Sequence, residues 1–221
     1  MEGPRRFVVG DTEQHNSMVF SWTGIPVKTG KALVIGNPFT LINHEAMTID
    51  NMNADLERKM KDTLFDVVKN GERHRVCSTT REFLMEMGKF INNNGGVLVH
   101  HSIDRDILFL YMTDKQFDQK FFTCNPLVYK DRCTKSKCWT NMQWVCSQRL
   151  LDQRCYYYST AFRKNGYTNS RLTSHLEFVF GKDHVQKHLS TYDAKDLAKL
   201  LEYAYETDEF FIGDTDFMIA H

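Results

Sequence analysis

The first hydrophobic run, Phe7-Val8-Val9-Gly10, has the β-branched and aromatic character of a buried strand and gives way to Asp11-Thr12-Glu13. Residues 17–23 and 31–35 read as two more strands, with a turn at 26–30 marked by Pro26 and Gly30. Residues 53–70 read as a helix with charged flanks. Ser78-Thr79-Thr80 offers a cap for a helix over 83–92, and Asn93-Asn94-Gly95-Gly96 ends it. Val97-Leu98-Val99 is a short buried strand that runs into polar His100-His101-Ser102. Helices are expected over 104–111, over 172–180 up to Gly181, and over 192–206, the last strongly periodic. Strands first, then strand–helix alternation, predict an α/β fold: a mixed central sheet flanked by helices on both faces, in one domain over 1–221.

Three of these elements carry a carboxylate where an apolar face ends or points inward. Residues two apart on a strand share a face, so Asp11 and Glu13 point the same way. Two like charges beside a core repel and lose hydration, and a cation relieves both costs. Such a triplet also arises by chance, as Asp55-Leu56-Glu57 shows in a polar stretch. In the last helix, Leu197, Leu200, Leu201 and Ala204 follow Asp193 at helical spacing, which puts that acid on the apolar stripe unless it serves as a cap. Asp106 precedes Phe109 and Leu110 at offsets that place it beside another apolar stripe, with Arg105 or solvent as ordinary partners. His188 lies five positions before Asp193, at the entry to the last helix, where it can titrate near neutral pH. His184 is close by.

The 221 residues are 42% hydrophobic and 25% charged, with a formal net charge of zero. That balance suits a globular protein and argues against attachment to nucleic acid by bulk charge alone. No apolar run is long enough to span a membrane, and the opening Met1-Glu2-Gly3-Pro4-Arg5-Arg6 lacks a signal segment. The expectation is an intracellular protein, cytoplasmic or nuclear, with reduced cysteines.

Charge is nevertheless uneven. Between Lys115 and Leu172 eleven Lys or Arg face three Asp, and aromatics such as Phe121, Tyr129, Trp139, Trp144 and Tyr157 are interleaved. Residues 113–171 thus form a basic, cysteine- and aromatic-rich segment of the kind that recognises phosphates and bases, or a solvated basic face over an aromatic core. Cys133, Cys138, Cys146 and Cys155 could hold a structural zinc, but no gap is the C-x2-C of zinc ribbons. Reduced cysteine packed as a small apolar residue is the alternative.

These residues, taken in order, resemble the DEDDh branch of the DnaQ-like 3′-to-5′ exonucleases, which have an RNase H-like fold. The first motif is Phe7-Val8-Val9-Gly10-Asp11-Thr12-Glu13. The second, Val99-His100-His101-Ser102 through Asp106 to Phe109-Leu110, is similar to the S-I-x-x-D-x-x-F-L segment of oligoribonuclease-type members. The third runs from Phe180-Gly181 through His188 to Asp193-Ala194. Leu189, four before Asp193, disfavours the tyrosine variant of the family. Gln14-His15-Asn16 stands where the family has Thr-Gly, and His101 replaces the usual Asn.

The resemblance implies a two-ion site for Mg²⁺ or Mn²⁺ held by Asp11, Glu13, Asp106 and Asp193, with His188 as general base. It implies Thr12, His101 and Ser102 as substrate contacts. The implied reaction releases nucleoside 5′-monophosphates from the 3′ ends of single-stranded RNA or DNA. A catalytically idle nucleic-acid-binding module on the same fold is the alternative, and an endonuclease-type two-metal phosphodiesterase a further one.

Overall fold

The computed structural model describes residues 5–48, 54–119, 143–147 and 171–208. Seven strands form one sheet: β1 (Arg6–His15), β2 (Met18–Lys28), β3 (Val34–Ile35), β4 (Phe39–Asn43), β5 (Arg73–Cys77), β6 (Val97–His100) and β7 (Gln143–Cys146). Among the described residues six helices accompany it: α1 (His44–Met47), α2 (Ala54–Lys69), α3 (Thr80–Asn93), α4 (Ile103–Gln116), α5 (Leu172–Phe180) and α6 (Ser190–Asp208). The strand order is β5-β4-β2-β1-β6-β7, with the short β3 pairing β2 off this path. β1 pairs β2 antiparallel and β6 parallel, so the sheet is mixed and its topology is RNase H-like.

Alternation in β1 explains how the sheet is covered. Phe7 and Val9 pack with Ile25, Val27, Val99 and Val145 against Leu176 of α5 and Leu197, Leu200 and Leu201 of α6. Val8 packs the other way, with Trp22, Leu41 and Leu98, against Phe83, Leu84, Met87 and Ile91 of α3 and Ile107 and Leu110 of α4. β1 is central and therefore buried on both faces, which is why its apolar run is continuous. Full burial of one such Leu contributes about 1.5–3 kcal/mol. The α/β architecture with helices on both faces is thus present.

Several boundaries differ from the sequence reading. β1 does not stop at the acids but runs through Asp11 and Glu13 to His15, with a bulge between Glu13 and Gln14. Asn16 and Ser17, with φ of 47° and 65°, make the two-residue link to β2 that antiparallel twist favours. The expected turn at 26–30 is corrected: Pro26 lies inside β2, opposite Val8, and β2 ends only at Lys28. Of 31–35 only Val34–Ile35 is strand. β4 and β5 were not foreseen. β5 is an exposed parallel edge, Arg73-His74-Arg75-Val76-Cys77, whose polar sequence hides it from a hydrophobic-pattern search. Most of the basic segment at 113–171 lies outside the described residues.

Candidate metal centre

The parity of β1 sends its functional side chains to two faces. Asp11 and Glu13 continue the Phe7–Val9 face, which α6 covers. Thr12 continues the Val8–Gly10 face, which α4 covers. Asp193 sits in the first turn of α6, on the helix face that packs against the sheet. Thr23, opposite Asp11 on β2, bonds Ser190 at the start of α6 at 3.1 Å and so fixes this helix end over the acids. As a result Asp11, Glu13 and Asp193 each present a carboxylate oxygen within 4.8 Å of the others. The cluster joins the two ends of the described chain.

Crowding dominates its electrostatics. Burial, reinforced by the charges of Asp106, Asp193 and Glu13, holds the Asp11 carboxyl well above the ordinary carboxylate range. Burial raises Glu13 to about 8, against the pull of Lys59, with Asp193 and Asp106 adding to the rise. Burial raises Asp193 to about 6, opposed by its hydrogen bond from Gln186 and by the charges of His188 and Lys59. Three carboxylates this close do not all ionise at neutral pH without a compensating cation.

The donor set fits a divalent cation. All three groups are hard oxygen ligands, the type that Mg²⁺ and Mn²⁺ take. Gln186 Nε2 donates to Asp193 Oδ2 at 2.8 Å, and Thr173 donates in turn to Gln186 Oε1. The other oxygen, Asp193 Oδ1, is buried with no hydrogen-bond partner among the described residues. A buried carboxylate oxygen of this kind, in an acidic cluster, has the chemistry of a cation ligand.

Asp106 is placed beside the cluster but is held differently. Thr12 Oγ1 donates to Asp106 Oδ1 at 2.9 Å, and His100 Nδ1 lies 2.7 Å from Asp106 Oδ2. Trp22 Nε1 approaches His100 Nε2 at 3.2 Å. Indole nitrogen can only donate, so Nε2 must accept and the His100 proton sits on Nδ1, directed at Asp106. The partners of Asp106 are thus Thr12 and His100, and not the Arg105 or solvent considered from sequence. Gly10 makes room for this chain of contacts, because a Cβ there would lie 2.4 Å from His100 Nε2 and 2.9 Å from Trp22 Nε1.

His188 is exposed, has a left-handed φ of 51°, and lines a cavity of about 300 Å³ together with Lys59 of α2. A non-glycine residue held there is strained, a feature common at functional sites. His184 is tied to α6 instead, its Nε2 lying 2.9 Å from Asp196 Oδ2. Ser102, φ 57°, immediately precedes α4. His101 Nδ1 meets Ser147 Oγ at 3.1 Å, and its ring stands edge-on to His175, which burial keeps neutral with a pKa of about 3. Cys146 is a buried free thiol in β7; Cys133, Cys138 and Cys155, its expected zinc partners, lie outside the described residues.

Sequence reasoning gave no role to Trp22, Lys59, Gln186 or His100, although His100 and Gln186 lie within the second and third motifs. Gln186 had one available signal, its place two residues before His188. No family model matches this chain, and no curated protein does. Among the described residues no helix is long and apolar enough to cross a membrane.

Proposed function

We propose that the chain is a divalent-cation-dependent 3′-to-5′ exonuclease of the DEDDh kind, acting on single-stranded RNA or DNA. The observation that carries this reading is the convergence of Asp11, Glu13 and Asp193 within 4.8 Å. Asp106 adjoins them, and His188 stands exposed near Asp193. The RNase H-like topology supports it, since β1 and the helix that closes the sheet are what bring these acids together.

In this reading Asp11, Glu13 and Asp193 hold Mg²⁺ or Mn²⁺, and Asp106 supports a second ion. Bound ions supply charge neutralisation and Lewis-acid polarisation at the scissile phosphate. The protein's own groups do the rest. His188 accepts a proton from the attacking water, whose oxygen bonds to phosphorus as the bond to the 3′ oxygen of the preceding nucleotide breaks, and that oxygen takes a proton from solvent to become the new 3′ hydroxyl. The products are a nucleoside 5′-monophosphate and a strand shorter by one residue. Gln186 and His100 keep two of the carboxylates in place. Thr12 acts on Asp106, and His101 and Ser102, at the start of α4, are its candidates for contact with the strand.

The test is digestion of matched 5′-labelled RNA and DNA strands with Mn²⁺ by wild type and Asp11→Ala. A ladder of shortened products from wild type alone is expected. Undigested strands with wild type favour a binding module, and internal cuts favour an endonuclease. Cleavage retained by Asp11→Ala would remove the acid cluster from the mechanism.

A further inference from the structure

One cation already reaches into the acid cluster. Lys59 Nζ of α2 lies 3.8 Å from Glu13 Oε2, and its charge also favours the ionised form of Asp193. Its side chain is one-third exposed. It therefore stands at the rim, with its stem on the helix and its ammonium toward the acids. Lysine suits such a place because its charge is compact and rides on a flexible stem. The pairing is incomplete, however. Lys59 faces several carboxylates, and Asp193, 6% exposed, still has an oxygen with no hydrogen-bond partner among the described residues. Lys59 thus neutralises part of the cluster and leaves coordination capacity for a divalent ion.

The same side chain borders the cavity of about 300 Å³ on which His188 opens. Arg58, Lys187, Asp62 and Asp66 also line it. Lys59 thus touches both Glu13 and this cavity, so a rotation about its flexible stem would move the ammonium from one to the other. A cation that leaves the acids in that direction meets the space where an anionic phosphate would approach His188.

We propose that Lys59 is an internal counter-cation that competes with the divalent ion for the acid cluster and, once displaced by it, contacts the phosphate of the bound strand. The proposal rests on reading the acid cluster as a divalent-cation site. Two consequences of opposite sign follow. Loss of the lysine charge should tighten ion binding, because a competitor is gone. The same loss should weaken strand binding, because a phosphate contact is gone. Ordinary structural damage would weaken both.

The test measures free Mn²⁺ by electron paramagnetic resonance during titration of the full chain without nucleic acid. Strand KM and kcat at saturating Mn²⁺ are measured alongside. Lys59→Met and Lys59→Gln are compared with Lys59→Arg, wild type and Asp11→Asn. Lys59→Met should bind Mn²⁺ roughly two- to fivefold tighter, a range scaled from partly exposed ion pairs. It should also raise KM for the strand more than it lowers kcat, while Lys59→Arg stays near wild type in both. Unchanged or weaker Mn²⁺ binding by both Lys59→Met and Lys59→Gln would overturn the proposal, and the centre itself would stand if Asp11→Asn abolishes wild-type binding. Absence of Mn²⁺ binding by wild type would overturn the centre and the proposal together.

Discussion

The imidazole of His100 donates from Nδ1 to Asp106 Oδ2 across 2.7 Å, entirely inside the protein. This bond makes one acid of the candidate centre depend on the aromatic core. Trp22 fixes the tautomer from one side, and Thr12 holds the second oxygen from the other. Side chains that orient metal-binding groups in this way typically account for about 10- to 100-fold in affinity or activity. Trp22→Phe keeps an aromatic side chain, though a smaller one, and removes the donor. It should lower cleavage about tenfold or more at saturating Mn²⁺, with the circular dichroism spectrum unchanged.

Gly10 supplies a stability test of the same contacts. Gly10→Ala would drive a methyl against His100 and Trp22 on a central strand. Overpacking of this kind costs about 1–3 kcal/mol. Urea unfolding of Gly10→Ala should show a lower midpoint with an unchanged slope.

Gln186 plays the corresponding part for Asp193. Gln186→Leu removes the donor at 2.8 Å and should weaken Mn²⁺ binding about 10- to 100-fold. Calorimetric titration with Mn²⁺ reads this directly. Affinity equal to that of wild type would show that Asp193 finds its orientation without the loop.

Crowded acids give the metal-free protein a distinctive pH response. Glu13 has a pKa of about 8 when folded and an ordinary value of 4.5. Between these values the folded state binds more protons than the unfolded state, so this group's contribution to stability falls as pH rises from about 4.5 to about 8. Asp193, at about 6, adds to the fall at the acidic end of that window. In chelator, Tm should drop across this range. Each 1 kcal/mol lost lowers Tm by about 2–4 °C in a domain of this size. Added Mn²⁺ should restore more Tm at pH 8 than at pH 5, where protons compete for the same oxygens. Scanning calorimetry with and without Mn²⁺ decides it.

Neutralising one acid should separate stability from activity. Asp11 is pressed by burial and by three neighbouring carboxylates. Asp11→Asn removes that repulsion, so it should raise Tm in chelator by several degrees while cleavage is lost. A Tm below that of wild type would mean that the carboxylate is already satisfied within the protein.

The sequence by itself determined the elements whose chemistry is periodic. The apolar run ending in Asp11 and Glu13, the cap at Thr79 and the stripe from Asp193 to Ala204 carry their local signal in residue order, because alternation and helical spacing reflect burial. It also determined that Asp11 and Glu13 share a face, since strand geometry allows nothing else. It could not show that β4 and β5 exist: a short strand and a polar edge strand lack a pattern distinct from loop. Nor could it show that Pro26 lies inside a strand. Only the tertiary structure decided that Asp193 meets Asp11 and Glu13 while Asp106 is met by His100 and Thr12. Only it decided that Lys59 and Gln186 attend the acids, from a helix and a loop with no motif. Spacing along the chain fixes which way a side chain points from its own element; what it meets there is fixed by which elements pack together, and that is set by the whole core.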